Sequence, residues 1–382
     1  MDNFSFYNPT RIEFGADKEK LIGQILAEQK VSKVLLAFGS DRIKRDGLFS
    51  TISDSLTKHG IQYVEFGGIV SNPLISKVRE GIQLARAHQV DAILSVGGGS
   101  VLDSAKSVAA GTLYENDVWD LFIGKGQIEA ALPVFSVLTL AATGSEMNGG
   151  AVVTNDATLE KFALHSVHTF PKVSVVNPAL MQTVSRDYLV YSAADIIAHS
   201  IEGYFTAAVQ PKIQSRLVES VIATVMETTE MLLADAGDYN ARAEFAWAAT
   251  LALNGLTYAG TSGFSYPNHM IEHSLSALFN VPHGAGLSVV MPAWMKWYHS
   301  QNPSQFERFA QHLFGLKTAE QGILALEKWF DKIGTPTRLS QLGITEADFP
   351  RILENLEGNT RWFGLAETYT PDVLTTILKL AL

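Results

Sequence analysis

The sequence predicts an α/β domain built on a doubly wound parallel sheet, followed by an all-helical domain. In the first half of the 382-residue chain, short β-branched runs alternate with amphipathic segments, a pattern typical of parallel strands covered by helices. From about Ser185 onward, long segments with helical periodicity replace the strand signals. We therefore expect a nucleotide-type α/β domain over residues 1–184 and an all-α domain over residues 185–382.

The elements follow one another in a regular order. Strands are expected at KVLLAFG, QYVEFGG, DAILSVGGGS, LPVFSVLTL and KVSVVNPALM, with helices at DGLFSTISDSLTKHG and NPLISKVREGIQLARAHQV between the early strands. The second half offers helices such as AADIIAHSIEGYFT, IQSRLVESVIATVMETTEMLLADA and ARAEFAWAATLALNGLTYAG. No repeat or low-complexity linker separates the halves, so we expect them to pack closely with a cleft between them.

Composition and charge exclude several classes of protein. Hydrophobic residues make up 47% of the chain and charged residues 18%, as in a well-packed globular protein, and the net charge of −10 argues against a nucleic-acid partner. The absence of cysteine excludes disulfides and thiolate metal sites. The N-terminus lacks a basic segment followed by an apolar run, and no stretch approaches a membrane span. We expect a soluble cytoplasmic protein without a membrane partner.

A glycine-rich turn follows the strand predicted at residues 91–96. Three glycines and a serine occupy residues 97–100, and a helix is expected to begin near Val101. Glycines let the backbone approach a ligand, and the N–H groups at a helix N-terminus attract an anion such as pyrophosphate. The pattern is neither GxGxxG nor a P-loop. Asp103, in the first helical turn, either complements the helix dipole or serves the ligand, and the sequence leaves both interpretations open.

A second polar turn, TLAATGSEMNGG, contains Thr139, Thr143, Gly144 and Ser145 at the end of a predicted strand. Ligands of open α/β sheets bind in the loops at the carboxyl ends of the strands. The two threonines are also suitable as capping residues, so a structural role is an equal alternative.

Five residues in the helical half have the spacing of a metal site. Asp195 and His199 are four residues apart in a helical segment, as are His269 and His273, and His283 follows in a Pro-His-Gly turn. Residues four apart project from one face of a helix. A single histidine on an apolar helix is usually a hydrogen-bonded core residue, but one carboxylate with several imidazoles is a ligand set for Fe²⁺ or Zn²⁺.

The spacing supplies one histidine more than three imidazole positions require. Either His269 or His273 can be the ligand, with the other close to the reacting centre, and spacing does not decide between them. His165 and His168 form another close pair, but no carboxylate is near them in the sequence, and we expect a non-metal role.

At these residues the chain resembles the iron-containing (group III) alcohol dehydrogenases, in particular the NADPH-dependent aldehyde reductases and butanol dehydrogenases. The resemblance runs nearly end to end, through NPTRIEFG, SVGGGSVLDSAK, LTLAATGSE, AADIIAHSIEGY, HMIEHSLSALFNVPHG and GTPTRLSQLGI. It implies the dehydroquinate synthase-like architecture with a Rossmann-like first domain, and a homodimer with the cofactor and metal in the interdomain cleft.

The resemblance also implies roles for individual residues. It assigns the metal, Fe²⁺ or alternatively Zn²⁺, to Asp195, His199, His269 and His283, and a catalytic role near the substrate to His273. The cofactor-binding residues that it implies are Asn72, Gly98, Gly99, Ser100, Asp103, Thr139, Thr143 and Ser145. Gly39 and Arg42 are added as cofactor-binding candidates from the local sequence, in a segment that does not match the family cleanly.

The segment after the first nucleotide-domain strand, AFGSDRIKRDG, bears on coenzyme choice. Gly39 occupies the place where an aspartate would repel a 2′-phosphate, and Arg42, Lys44 and Arg45 can receive its charge. This favours NADP(H) over NAD(H). Asp41 can instead accept a ribose hydroxyl, as in NAD enzymes, so NAD(H) remains the alternative.

The resemblance implies reversible hydride transfer between NAD(P)H and a primary alcohol or aldehyde, with the metal as Lewis acid. The alternatives are a glycerol-dehydrogenase-like polyol oxidoreductase, a non-redox metal-dependent hydrolase or lyase, and a binding module without activity. Phe264, Tyr266 and Trp119 are candidates for an apolar substrate pocket, with an ordinary core position as the equal alternative. The physiological substrate does not follow from the sequence.

Overall fold

The parallel sheet expected for the first half is present in the computed structural model, which describes residues 1–382, and the predicted fold class is confirmed. The chain forms two compact units, one of Tyr7–Thr183 and one of Val184–Leu382 together with Met1–Phe6. The assignment of the first six residues to the helical unit was not foreseen. It reflects contacts such as the hydrogen bond from the Asp2 amide to the Gly260 carbonyl, 3.0 Å long.

The α/β unit contains a six-stranded sheet and a separate hairpin. The strands are β1 (Arg11–Phe14), β2 (Lys33–Phe38), β3 (Gln62–Phe66), β4 (Ala92–Gly97), β5 (Val134–Leu138), β6 (Gly150–Asn155), β7 (Glu160–His165) and β8 (Val173–Val176). The order is β1-β8-β5-β4-β2-β3, with every pair parallel. Strands β6 and β7 form a separate antiparallel pair, and Thr154 of β6 also makes an isolated bridge to Leu74.

Helices cover both faces of this sheet. They are α1 (Ile22–Glu28), α2 (Arg42–Arg45), α3 (Leu48–Lys58), α4 (Ile75–His88) and α5 (Gly99–Leu113). Successive side chains of a strand point to opposite faces, so Leu35 of β2 packs in one hydrophobic cluster while Val34 and Leu36 pack in the other. Burial on both faces explains why β2 is a continuous apolar run.

The helical unit consists of nine α-helices joined by turns. They are α6 (Arg186–Thr206), α7 (Lys212–Ala234), α8 (Tyr239–Ala252), α9 (Pro267–Phe279), α10 (His283–Tyr298), α11 (Pro303–Phe314), α12 (Ala319–Ile333), α13 (Phe349–Trp362) and α14 (Pro371–Leu380). The hydroxyl of Ser185 accepts the Tyr188 N–H at the start of α6. Asn280 ends α9 with a φ of +53°, a conformation that asparagine tolerates better than most residues.

The helix after the glycine-rich turn begins earlier than predicted, at Gly99 instead of near Val101. None of the three glycines has a positive φ, so conformational freedom is not what requires glycine here. A Cβ would instead lie 2.5 Å from Val101 at Gly97, 3.1 Å from Leu140 at Gly98 and 2.5 Å from Thr143 at Gly99. The glycines allow β4, α5 and the loop after β5 to pack closely.

Gly284, in the first turn of α10, marks the close approach of α10 to α6. A Cβ there would lie 2.0 Å from the carbonyl oxygen of Tyr191. Gly284→Ala must push the two helices apart, and we expect it to destabilise the protein by about 1–3 kcal/mol or more. Because about 1 kcal/mol corresponds to a shift of about 2–4 °C in a unit of this size, thermal denaturation followed by circular dichroism measures the effect.

Gly358 in α13 provides the matched control. Its Cβ position has no other atom within 4 Å, and alanine is the better helix former by about 1 kcal/mol. We expect Gly358→Ala to raise the melting temperature. A Gly284→Ala protein as stable as the wild type would contradict the helix contact.

Candidate functional site

The four predicted metal ligands meet around one carboxylate oxygen. Asp195 and His199 lie one turn apart on α6, His269 lies on α9, and His283 is the first residue of α10. Oδ1 of Asp195 is 3.6 Å from Nε2 of His199, 3.8 Å from Nε2 of His269 and 3.7 Å from Nε2 of His283. The structure thus brings together residues as far apart as 88 positions in the sequence (195 to 283).

The donor atoms of this cluster fit a metal ion. Oδ1 of Asp195 and Nε2 of His269 are buried and have no hydrogen-bond partner, a costly condition for polar atoms. The distances from Oδ1 of Asp195 to the three imidazole nitrogens are too long for hydrogen bonds. They suit an ion between these atoms, with bonds of about 2.0–2.2 Å. One carboxylate with three imidazoles and no thiolate suits Fe²⁺ or Zn²⁺.

The protonation of these groups follows from burial and from their neighbours. Burial opposes ionisation of Asp195, but the surrounding imidazoles prevail and hold its pKa below the usual range. Burial lowers the pKa of His199 to about 3, so its ring is neutral at pH 7. For His269 the same burial is outweighed by Glu202 and Asp195, which raise its pKa to about 10. A metal ion bound through Nε2 of His269 would therefore displace a proton.

Two buried glutamates that sequence reasoning missed contact the outer nitrogens of this cluster. Nδ1 of His269 bonds a carboxylate oxygen of Glu202, and Nδ1 of His283 bonds one of Glu272. Both glutamates are 0% exposed. A carboxylate behind a ligating imidazole fixes the ring orientation and raises its basicity. The missed signal is spacing, since Glu202 follows Asp195 by two helical turns and Glu272 follows His269 by about one.

Glu202 also accepts hydrogen bonds from the backbone at the start of α9. Its other oxygen accepts the backbone N–H groups of Asn268 and His269, which have no partner within the helix. A carboxylate at this position also complements the helix dipole. The same side chain therefore fixes both the helix end and the ring of His269.

We expect Glu202→Gln to weaken metal binding by about 10–100-fold, because the amide keeps an acceptor for the helix N-terminus but loses the charge behind the imidazole. Chelator competition with Zn²⁺ or Co²⁺ measures this affinity. Glu219→Gln is the matched control, since Glu219 is a buried carboxylate of the same unit bonded to Arg308 and Tyr204. Equal metal affinity of the two variants would refute the role of Glu202.

His273 lies beside the metal donors. Its ring centre is 6.4 Å from that of His269, 5.9 Å from that of His283 and 5.6 Å from Phe363. It is buried, and a donor atom of His273 lies within 4.8 Å of donor atoms of His283 and Glu272. Of the two histidines of α9, His269 is the one that faces Asp195.

In the α/β unit, the predicted cofactor residues follow four neighbouring strands. Gly39 comes after β2, Asn72 after β3, Gly98 after β4 and Thr139 after β5. These strands are adjacent and parallel in the order β5-β4-β2-β3, so their carboxyl ends form one edge of the sheet, where open α/β folds bind ligands. Gly99 and Ser100 add the free N–H groups of the first turn of α5.

Asp103 and Ser145 are bonded to each other. The Ser145 hydroxyl donates to Oδ1 of Asp103 over 2.7 Å, and the Val152 amide donates to Oδ2 over 3.0 Å. Burial raises the pKa of Asp103. Thr143 packs against Gly99 and accepts the Ser145 N–H over 3.2 Å. These side chains hold the loop after β5 against α5.

The other predicted cofactor contacts have partners within the α/β unit. Arg42 bonds Asp46 over 3.1 Å and also the Thr183 hydroxyl, and Lys44 pairs with Glu65 over 2.7 Å. Asn72 has a φ of +52°, and its side-chain oxygen accepts from Lys161 over 3.0 Å.

The three aromatic residues considered for a substrate pocket lie in different units. Trp119 stacks between Phe122 and Phe162, at 5.2 and 5.8 Å, and is a core residue. Phe264 and Tyr266 lie in the helical unit, where the Tyr266 ring is 5.8 Å from that of His269.

His165 and His168 belong to the α/β unit and to neither group of possible metal ligands. None of the helices has the length and apolar character of a membrane-crossing segment.

Two models of one protein family match the chain, one in each unit. The model of the iron-containing alcohol dehydrogenases matches residues 9–178. The C-terminal model of the Fe-containing alcohol dehydrogenase family matches residues 189–379. Together the two matches cover nearly the whole chain.

Individual proteins are similar over their full length. A probable NADH-dependent butanol dehydrogenase of Bacillus subtilis (strain 168) is 36% identical, covering 100% of both chains. An NADPH-dependent aldehyde reductase of Escherichia coli (strain K12) is 35% identical, again covering 100% of both. The crystal structure of NADH-dependent butanol dehydrogenase A from Thermotoga maritima superposes with a TM-score of 0.97 at 45% identity, covering 100% of this chain and 99% of that one.

Proposed function

The chain belongs to the iron-containing alcohol dehydrogenase family, and we propose on that basis that its helical unit holds the catalytic metal and its α/β unit the nicotinamide cofactor. Its activity is the NAD(P)H-dependent interconversion of alcohols and aldehydes. We further propose primary alcohols and their aldehydes as substrates, in line with the relatives named as butanol dehydrogenases.

The observation that carries the metal assignment is the unpartnered Oδ1 of Asp195 with three imidazole nitrogens around it. Asp195, His199, His269 and His283 would hold the ion, Fe²⁺ or alternatively Zn²⁺. A bound divalent ion supplies Lewis acidity toward the substrate oxygen, and the nicotinamide supplies or accepts the hydride. Glu202 and Glu272 hold the rings of His269 and His283 in orientation.

We propose that His273 accepts the proton that the alcohol hydroxyl releases during oxidation. Oxidation of an alcohol releases a proton from the hydroxyl as well as the hydride from carbon, and an imidazole beside the site can hold or pass that proton. His273 is buried next to His283, without facing Asp195 as the other histidines do. This position supports a catalytic role distinct from metal binding.

The α/β unit offers a cofactor site at one edge of its sheet. The first turn of α5, with Gly99 and Ser100, is suited to the pyrophosphate. Thr139 follows the neighbouring strand β5, and Asn72 follows β3, two strands away from β4 in the same parallel sheet.

Metal depletion tests the proposal as a whole. Protein stripped by a chelator under anaerobic conditions should lose turnover of aldehydes with NADPH or NADH, and Fe²⁺ or Zn²⁺ should restore it. Binding of NADPH, followed by its fluorescence, should persist in the stripped protein because the cofactor residues lie in the other unit.

Asp195→Asn should behave as the stripped protein does, whereas Asp187→Asn, an exposed position at the start of the same helix, should retain turnover. Turnover of a substrate without any nicotinamide cofactor would instead support a non-redox metal enzyme.

For the coenzyme we propose a preference for NADP(H). Gly39 places no carboxylate after β2, and the positive charges of Arg42, Lys44 and Arg45 lie in the segment that follows. The pairing of Lys44 with Glu65 and of Arg42 with Asp46 reduces the charge available to a 2′-phosphate. We therefore expect a modest preference, with NAD(H) also accepted.

Gly39→Asp tests this assignment, with Gly39→Ala as its steric control because a Cβ there lies 3.2 Å from the Ile69 carbonyl oxygen. Relative to Gly39→Ala, the carboxylate should raise the ratio of the NADPH to the NADH dissociation constant about tenfold, through repulsion of the 2′-phosphate. Fluorescence titration with both coenzymes measures the ratio. An unchanged ratio would place the adenosine ribose elsewhere.

We also propose that the enzyme acts in the cytoplasm as a homodimer. The family resemblance of the sequence motifs supports the homodimer, and the cytoplasmic location is the expectation of the sequence analysis alone.

A further inference from the structure

The α/β unit buries a lysine, Lys106, at the middle of α5, the helix that follows the glycine-rich turn. Its side chain is 0% exposed, which is rare for lysine unless its charge is compensated. Its Nζ lies within hydrogen-bond distance of five oxygens. They are the carbonyl of Ser145 at 2.7 Å, the hydroxyl of Ser145 at 2.8 Å, the carbonyl of Asn148 at 2.8 Å, the carbonyl of Gly150 at 2.8 Å and the side-chain oxygen of Asn148 at 3.3 Å.

All five oxygens belong to one short segment, residues 145–150, which we call the clamp loop. Within this segment the Ser145 carbonyl accepts one backbone N–H, that of Asn148 over 3.4 Å. A buried carbonyl oxygen without an N–H or other donor is costly. An ammonium group has three donors and a full charge. Lys106 therefore supplies, from α5, hydrogen-bond donors to the carbonyl oxygens of the clamp loop.

The clamp loop adjoins the proposed cofactor site. It begins two residues after Thr143, which packs against Gly99 in the first turn of α5. Asp103, one turn before Lys106 on the same helix, accepts the Ser145 hydroxyl over 2.7 Å. One helix thus presents its N-terminus to the cofactor site and fixes the neighbouring loop with a carboxylate and an ammonium.

The charge of Lys106 is kept at neutral pH. Burial lowers the pKa of Lys106 to about 8, while the carboxylates of Asp103 and Glu146 oppose that fall. The amine is thus mainly protonated at pH 7.

We propose that Lys106 is a positioning residue for the nicotinamide cofactor, because its ammonium group holds the clamp loop in place against α5. The inference rests on the proposed function, since it assumes that the cofactor binds at this edge of the sheet. Lys106 contacts the loop and not the cofactor, so its effect on binding is exerted through the shape of the loop.

The test compares Lys106→Met with Ser107→Ala. Methionine keeps an unbranched chain of similar length without charge or donors, and the Ser107 hydroxyl bonds only a carbonyl of its own helix, that of Asp103. Lys106→Met should raise the NADPH dissociation constant about tenfold or more, as loss of charge-assisted hydrogen bonds implies. Zn²⁺ affinity by chelator competition should stay within about twofold, because the metal ligands lie in the other unit, and Ser107→Ala should bind NADPH as the wild type does.

Chemical rescue separates positioning from general destabilisation. Lys106→Ala leaves the oxygens of the clamp loop without their cation, and added ammonium chloride should restore NADPH binding, whereas sodium chloride at the same ionic strength should not. Lack of rescue by ammonium, NADPH binding by Lys106→Met at the wild-type level, or an equal loss of Zn²⁺ affinity would each overturn the proposal.

Two further outcomes are distinguishable. If Lys106→Met does not fold, Asn148→Ala removes one acceptor of Lys106 together with the bonds of this side chain to Gly144 and Gly150. It should also weaken NADPH binding, and an unchanged dissociation constant would overturn the proposal. If the wild-type protein itself binds neither NADPH nor NADH, the proposed cofactor site is wrong and the role of Lys106 falls with it.

Discussion

The helical unit depends on a carboxylate that is buried without a hydrogen bond to Oδ1. Removing an ionised group from water costs several kcal/mol unless nearby groups compensate for it. Asp195 is compensated by three imidazole nitrogens from α6, α9 and α10. The buried and unpartnered Oδ1 among these nitrogens is the observation on which the proposed metal centre rests.

The outer glutamates extend this constraint into the fold. Glu202 joins α6 to the start of α9, and Glu272 joins α9 to the first residue of α10. The helices that carry the proposed ligands are therefore bonded to each other through the two glutamates that contact those side chains. The α/β unit follows the same principle, since Lys106 and Asp103 tie α5 to the loop after β5. In both units buried charged side chains bond backbone groups of another segment.

The sequence was sufficient for the features that depend on periodicity and spacing. Apolar runs such as that of β2 predicted the parallel sheet, and the spacing of Asp195 and His199 predicted two donors on one helical face. The hairpin of β6 and β7 was not recognised, because its pairing lies outside the main sheet. The start of α5 was placed two residues late, because glycines read as a turn can also occupy a first helical turn.

Buried polar partners were the largest omission. In the sequence Glu202, Glu272 and Lys106 resemble ordinary charged residues of amphipathic helices, and only the helical spacing of the two glutamates from Asp195 and His269 connects them with the site. Their roles depend on side chains that are distant along the chain. Such long-range pairs become visible only when the packing of the helices is known.

The path of the N-terminus has a practical consequence for dissecting the two units. Met1–Phe6 packs with the helical unit, where the Asp2 amide bonds the Gly260 carbonyl and the Phe4 ring lies against Gly260. A gene fragment that starts at Val184 would therefore encode the helical unit without residues 1–6. The complementary fragment would carry those six residues without the unit that they contact. Cleavage at a single peptide bond therefore cannot separate the two units completely. A circularly permuted gene that joins residues 1–6 through a linker to residues 184–382 would encode the complete helical unit.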